Sequence, residues 1–307
     1  MKKFNLKNHS IAFFTIFIWG ITFICTKHLE NSFSALQILF LRYVLAYTVL
    51  LIVRPKVFSF QGIKKELYLL AASVSGASLY QYLENLSVVY TSPASVSFIT
   101  AIAPIFTAIL AHKFLKEELN PKIFTGMIIS LIGVFLICFG DSKTIETGLL
   151  GDIIILCSIW LWAVYSVIVK VIYKFDFDGL LVTRRIFMYS VIAMIPFILT
   201  ESKPLNYSLL LKPDIILNIA FLGIFASAIC FWTWNMSVNS LGATTTSKYL
   251  FVMPVITLAA QSVYDRSMVG IASVIGMLII LLGLFITEFT LPYSIRKKVS
   301  KWNLKNM

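Results

Sequence analysis

Histidine, cysteine and acidic side chains are all scarce in this chain of 307 residues. The three histidines, His9, His28 and His112, are too scattered to build a metal site. The four cysteines, Cys25, Cys138, Cys157 and Cys230, lie in apolar stretches with no Cys-x-x-Cys spacing. They read as small hydrophobes rather than disulfide or metal partners. Only 14 residues are Asp or Glu, against 26 Lys and Arg. The acids within apolar stretches are dispersed, whereas lipid-acting membrane enzymes usually pair theirs. No Gly-x-Ser-x-Gly elbow, His-Glu-x-x-His or Gly-x-x-x-x-Gly-Lys phosphate loop occurs. Nothing therefore points to an enzyme or a self-powered ATP pump, and no cofactor is expected.

What the chain has in abundance is apolar surface. It is 59% hydrophobic and 13% charged, with a mean hydropathy of +0.87, which excludes a soluble globular domain. Ten apolar stretches recur, at roughly 10–28, 35–53, 67–90, 93–112, 121–139, 149–170, 179–199, 214–239, 243–264 and 268–287. Each is long enough to cross a hydrocarbon core. The runs are continuous rather than alternating, so they are helices and not barrel strands. An all-α integral membrane protein of ten transmembrane helices follows.

The net charge of +12 does not mark a nucleic-acid partner. With the N-terminus inside, 17 cationic residues fall on the cytoplasmic side, from Lys2 and Lys3 to Lys301 and Lys305, and only five on the other: Lys27, Lys143, Lys203, Lys212 and Arg266. That bias predicts both termini in the cytoplasm and the 200–213 loop outside. The basic tails become topology signals and contacts with anionic lipid of the bilayer. The first span follows a basic stretch, but no small-residue cleavage site follows it, so it is not read as a signal peptide. The sequon at Asn206 matters only in a secretory pathway, and nothing else suggests one.

A shift of 150 residues lays the second half on the first. Asn85 falls on Asn235, Ser87 on Ser237, Ser97 on Ser247, Pro104 on Pro254, Thr107 on Thr257, Gly126 on Gly276 and Gly133 on Gly283. At the front of each half the offset is 143, pairing Trp19 with Trp162, Lys27 with Lys170 and Arg42 with Arg185. Copies with five spans each must insert in opposite orientations. Such inverted repeats, at 1–142 and 143–307, are typical of secondary transporters whose site lies between the halves.

The segment from Tyr90 to Ile137, echoed from Ser240 to Thr287, resembles the EamA half of the drug/metabolite transporter superfamily. Its features are a short turn, a span with a central proline (Pro104, Pro254), a last helix with spaced glycines (Gly126/Gly133, Gly276/Gly283), and between them an acidic stretch, often Leu-x-x-Glu in the family and represented here by Glu117. Copy two departs from this, with Ser267 matching Glu117 and Asp265 nearby. Leu83-Glu84-Asn85 and Thr183-Arg184-Arg185 resemble the carboxylate/amino acid/amine transporter subgroup. The resemblance implies alternating access around a cavity lined by spans 1, 3, 4, 6, 8 and 9.

Individual residues refine this expectation. Pro104 and Pro254 sit mid-span, where a missing N–H loosens a helix, and their symmetric placement reads as a hinge. The paired glycines read as helix-packing supports. Glu84 is an intramembrane carboxylate and so a functional candidate by default. It shares a helix face with Tyr80 and lies beside Asn85, and Arg42 lies at a similar depth on span 2. Either the two form a static ion pair, or Glu84 serves substrate or proton, with Arg42 assisting the coupling. Lys248 lies a few residues into span 9. It either snorkels to the inner surface or joins Arg184 and Arg185 in an inner-facing site for a substrate carboxylate.

Trp19, Trp160 and Trp162, with Tyr80, Tyr82, Phe231, Trp232 and Trp234, supply aromatic walls, and aromatic walls with one carboxylate suit an amine. Expected substrate contacts are therefore Trp19, Tyr80, Glu84, Asn85, Trp162, Trp234, Asn235 and Lys248. The expected function is proton-coupled export of a small metabolite, amino acid or amine first, across a bacterial cytoplasmic membrane, by a monomer or weak homodimer. Uptake of a quaternary amine or vitamin-like nutrient is the rival within transport. A lipid-acting enzyme or flippase is the rival outside it.

Overall fold

The computed structural model describes residues 6–118, 121–139, 148–266 and 270–288. Lys2, Lys3, Lys143, the boundary at 142/143, Ser267 and the basic tail beyond 288 lie outside the described residues. Ten helical runs occur where ten apolar stretches are expected, and no strand occurs among the described residues. They are α1 (Leu6–Glu30), α2 (Ala35–Val53), α3 (63–90), α4 (Pro93–Leu115), α5 (Pro121–Phe139), α6 (Leu149–Phe175), α7 (Gly179–Leu199), α8 (Pro213–Leu241), α9 (243–264) and α10 (Ile271–Glu288). Helix starts follow local chemistry. Ser34 and Gln37 form a reciprocal capping box at α2, Ser92 accepts from the Ser95 N–H ahead of Pro93 at α4, and Asp178 accepts from the Leu180 N–H at α7.

Each repeat departs from regular α-helix at two matching places. In α3 the segment Ser73–Tyr80 winds as a π-helix, and in α8 Phe221–Ile229 does the same, 150 residues on apart from small shifts at the ends. Such wide turns are rare and frequently mark functional sites. Glu84 and Trp234 follow within about a turn of them. The second departure falls in α4 and α9. Residues 101–102 interrupt α4, and a 3-10 turn, Lys248–Val252, interrupts α9. Pro104 and Pro254 then occupy the first turn of the helix that restarts, where no N–H is required. The prolines therefore mark true helix breaks rather than kinks within a continuous rod.

α5 and α10 cross where their glycines meet. A Cβ on Gly276 would lie 2.5 Å from the Gly133 carbonyl oxygen, and one on Gly126 would lie 2.6 Å from that of Gly283. Only glycine permits this backbone-to-backbone approach. The exchange of partners between copies (126 with 283, 133 with 276) is what a two-fold axis relating inverted repeats produces.

Candidate functional site

At the junction of the repeats, a small cavity of about 20 Å³ is lined by residues of both copies. That volume holds about one water molecule. Trp19 and Thr22 come from α1, Arg42 from α2, Tyr80, Gln81 and Glu84 from α3, Trp162 from α6, and Leu250 and Met253 from α9. The wall departs from the expected set of helices, because α2 contributes and neither α4 nor α8 does. α8 instead supplies a second layer. Trp19, Trp162 and Trp234 form a triangle with ring centroids 5.2–5.3 Å apart, and Phe231 packs edge-on against Trp19 at 5.6 Å. Tyr80 closes on Trp162 at 4.9 Å.

Glu84 is buried, and its carboxylate is held by neutral donors. The Tyr80 hydroxyl donates to Oε1 at 2.6 Å and the Gln81 amide to Oε2 at 2.7 Å. Arg42 is also buried, and its Nε donates to Ser227 Oγ at 2.8 Å. The two charges share the cavity wall but form no direct ion pair. The π-turns feed this site. Trp19, on the wall, donates its indole N–H to the Ala226 carbonyl inside the α8 π-segment at 2.8 Å. Its mate Trp162 has an indole N–H with no acceptor, as does Trp234.

Five sequence-selected residues thus meet at one cavity: Trp19, Arg42, Tyr80, Glu84 and Trp162. Trp234 stands directly behind them. Asn85 turns away and donates to the Ala35 carbonyl at 3.4 Å. Asn235 is bound up between the Tyr165 hydroxyl, at 2.7 Å, and Thr183 Oγ1, at 3.1 Å. Lys248 is buried in the α9 3-10 turn, off the cavity wall. Arg184 and Arg185 clamp the loop after α2. Arg184 donates to the Arg54 and Lys56 carbonyls, and Arg185 to those of Phe58 and Ser59, with Glu66 3.8 Å away. Trp160 faces outward against Phe106. Gln81 and Ser227 were not selected from sequence. Gln81 was findable, three residues before Glu84 on the same helical face. Ser227 carries no local signal, because its role depends on Arg42 reaching it from another helix.

Two contacts hold the ends of the bundle. Asp152 Oδ1 accepts from Thr91 Oγ1 at 2.9 Å and Ser95 Oγ at 2.6 Å, fastening the start of α6 to the α3–α4 turn. Beside it opens a recess of about 420 Å³, lined among others by Lys27, His28, Gln261 and Asp265. At the opposite end Glu117 reaches across to the second repeat. Its carboxylate accepts from the Ala243 N–H at 2.9 Å and the Thr244 N–H at 3.0 Å, capping α9. The start of α4 is capped by its own Ser92. Glu117→Ala is expected to loosen the α4–α9 contact. A cysteine placed at Thr245 would then react several-fold faster with a hydrophilic maleimide, the order of a lost cap of about 1 kcal/mol. Unchanged labelling would show that the cap holds nothing across the repeats.

Comparison with known proteins agrees with this architecture. The EamA-like transporter family matches residues 7–139 and 149–289, one match per repeat. Among similar proteins, "Uncharacterized transporter YyaM" of Bacillus subtilis is 28% identical over 99% of this chain and 98% of its own length. An "Uncharacterized transporter" of Archaeoglobus fulgidus is 26% identical, covering 92% of this chain and 98% of its own. A "Probable terminal-alkyne amino-acid exporter" of Streptantibioticus cattleyicolor is 24% identical over 62% of each chain. A crystal structure superposes with a TM-score of 0.71 at 14% identity, covering 92% of this chain and 96% of that one, which shows the shared fold. With its two inverted five-helix repeats, the chain belongs to the EamA-like transporter family of the drug/metabolite transporter superfamily, as a multi-pass membrane transporter.

Proposed function

We propose that this transporter exports small ammonium-bearing metabolites, amino acids and amines, in exchange for protons. The observation that carries this reading is Glu84. It is a carboxylate on the wall of a small, aromatic-lined cavity between the repeats, held by neutral donors. An ionisable group at such depth is expensive and is retained where it serves an ion or substrate pathway. Aromatic faces around it favour a cation. A proton and an ammonium group compete for one carboxylate, so each leaves as the other arrives, and antiport follows. The cavity holds no more than about one water. In this reading the cavity widens to admit substrate as the repeats rock, with the breaks in α4 and α9 as hinges. The likeness to a probable amino-acid exporter supports the substrate class.

In this reading the protein lies in a bacterial cytoplasmic membrane, with both termini cytoplasmic and the 420 Å³ recess as the outer mouth. Cysteines introduced at residues 54–66 are then protected from impermeant reagents in intact cells. Labelling of those positions from outside would reverse the orientation. The function itself is tested in proteoliposomes carrying an imposed pH gradient. Amino acids and amines are expected to accumulate against their own gradient and to be recovered unchanged. Covalent conversion, or lipid movement without solute flux, would favour an enzyme or flippase instead.

A further inference from the structure

Two ionisable side chains of opposite charge type face the central cavity, and they do not touch. Glu84 accepts from Tyr80 and Gln81, and Arg42 donates its Nε–H to Ser227. A buried, uncompensated charge is costly, and collapse into a direct ion pair would relieve both. Instead the two side chains line one small cavity without pairing. A carboxylate and a guanidinium that line one cavity without pairing are complementary to a molecule carrying both charges in the reverse order.

We propose that Arg42 is the carboxylate receptor of the site, so that the preferred substrate is a zwitterionic free amino acid rather than an amine. This rests on the proposed function, in which Glu84 takes the ammonium group. The amino acid lies with its ammonium toward α3 and its carboxylate toward α2. A guanidinium is suited to the task because its planar fork presents two parallel N–H donors to a carboxylate. With Nε fixed on Ser227, the fork is held in one orientation. The wall carries a further donor in need of an acceptor, the Trp162 indole N–H. Trp19, Trp162, Leu250 and Met253 leave an apolar surface for the side chain. Lys248, the sequence-based choice for the carboxylate, lies off that wall.

The test is a thermal-stabilisation titration of the purified full-length protein with leucine, phenylalanine and tryptophan, each beside its decarboxylated amine and its amide. For the wild type, at least one amino acid is expected to bind about tenfold or more tightly than its amine and amide, the order of one lost charge-assisted hydrogen bond. Arg42→Gln is expected to erase that preference while amine binding persists, and Arg42→Lys, which keeps the charge without the fork, to retain part of it. Amines binding the wild type as tightly as the amino acids would overturn the role of Arg42 and leave Glu84 as the ammonium site. Retention of the full preference by Arg42→Gln would overturn it equally. If Arg42→Gln does not fold, the wild-type comparison decides alone. Binding by no member of the panel would overturn this inference and the proposed function together.

Discussion

Glu84→Gln is expected to reduce pH-gradient-driven flux in proteoliposomes to the protein-free background, while the purified variant remains folded and monodisperse. Gln keeps the size of Glu and can still meet Tyr80 and Gln81, which now hold the carboxylate at 2.6 and 2.7 Å. It cannot release a proton. Substrate binding by the variant is therefore expected to lose its dependence on pH as well. A purely structural role for the two charges predicts a different pattern. Glu84→Gln and Arg42→Gln would then destabilise the protein comparably, because each strands the opposite charge in the membrane. Full gradient-driven transport by a well-folded Glu84→Gln protein would mean that the proton travels elsewhere. Asp152 is the next carboxylate to examine, although Thr91 and Ser95 already hold it.

The second large effect is on stability. Gly276→Leu is expected to lower the unfolding temperature by on the order of 5–10 °C, since forcing a side chain into a close-packed contact costs about 1–3 kcal/mol or more. Its first carbon would already lie 2.5 Å from the Gly133 carbonyl oxygen and 2.8 Å from the Ile137 side chain. Backbone on the far side cannot rotate out of the way, so α5 and α10 must separate. Ile275→Leu, next door on the half-exposed face of α10, serves as the control and is expected to change little. Apparent substrate affinity of the surviving Gly276→Leu protein is expected to stay near the wild-type value, because the crossing contributes nothing to the cavity wall. Normal stability with a selective loss of affinity would contradict the scaffold role.

The placement of all ten helices was legible because hydropathy over about 20 residues is imposed by the bilayer, whatever the helices pack against. The inverted pairing was legible because duplicated glycines and prolines remained in register. Local winding was not. Ser73–Tyr80 and Phe221–Ile229 have compositions that suit an α-helix equally well, and a contact such as the Trp19 indole on the Ala226 carbonyl comes from another helix.

Side-chain direction was legible only in part. Glu84 and Tyr80 lie four apart, so their shared face follows from helical geometry. Asn85 and Asn235 occupy matching positions yet serve different partners, Ala35 in one copy and Tyr165 with Thr183 in the other. A buried amide takes whichever partner its own neighbourhood offers. The depth of Arg42 could be counted along α2. That it stops at Ser227 without pairing with Glu84 could not, because both neighbours come from other helices.

In the proposed exchange, substrate and proton exclude each other at Glu84. Mixing substrate with purified wild-type protein in weak buffer containing a pH indicator tests it most directly, using an amino acid or amine already shown to bind. A proton is expected to be released as substrate binds, at a pH where the free site is protonated, and none from Glu84→Gln at equal occupancy. Binding without proton release by the wild type, or an equal release from Glu84→Gln, would contradict it.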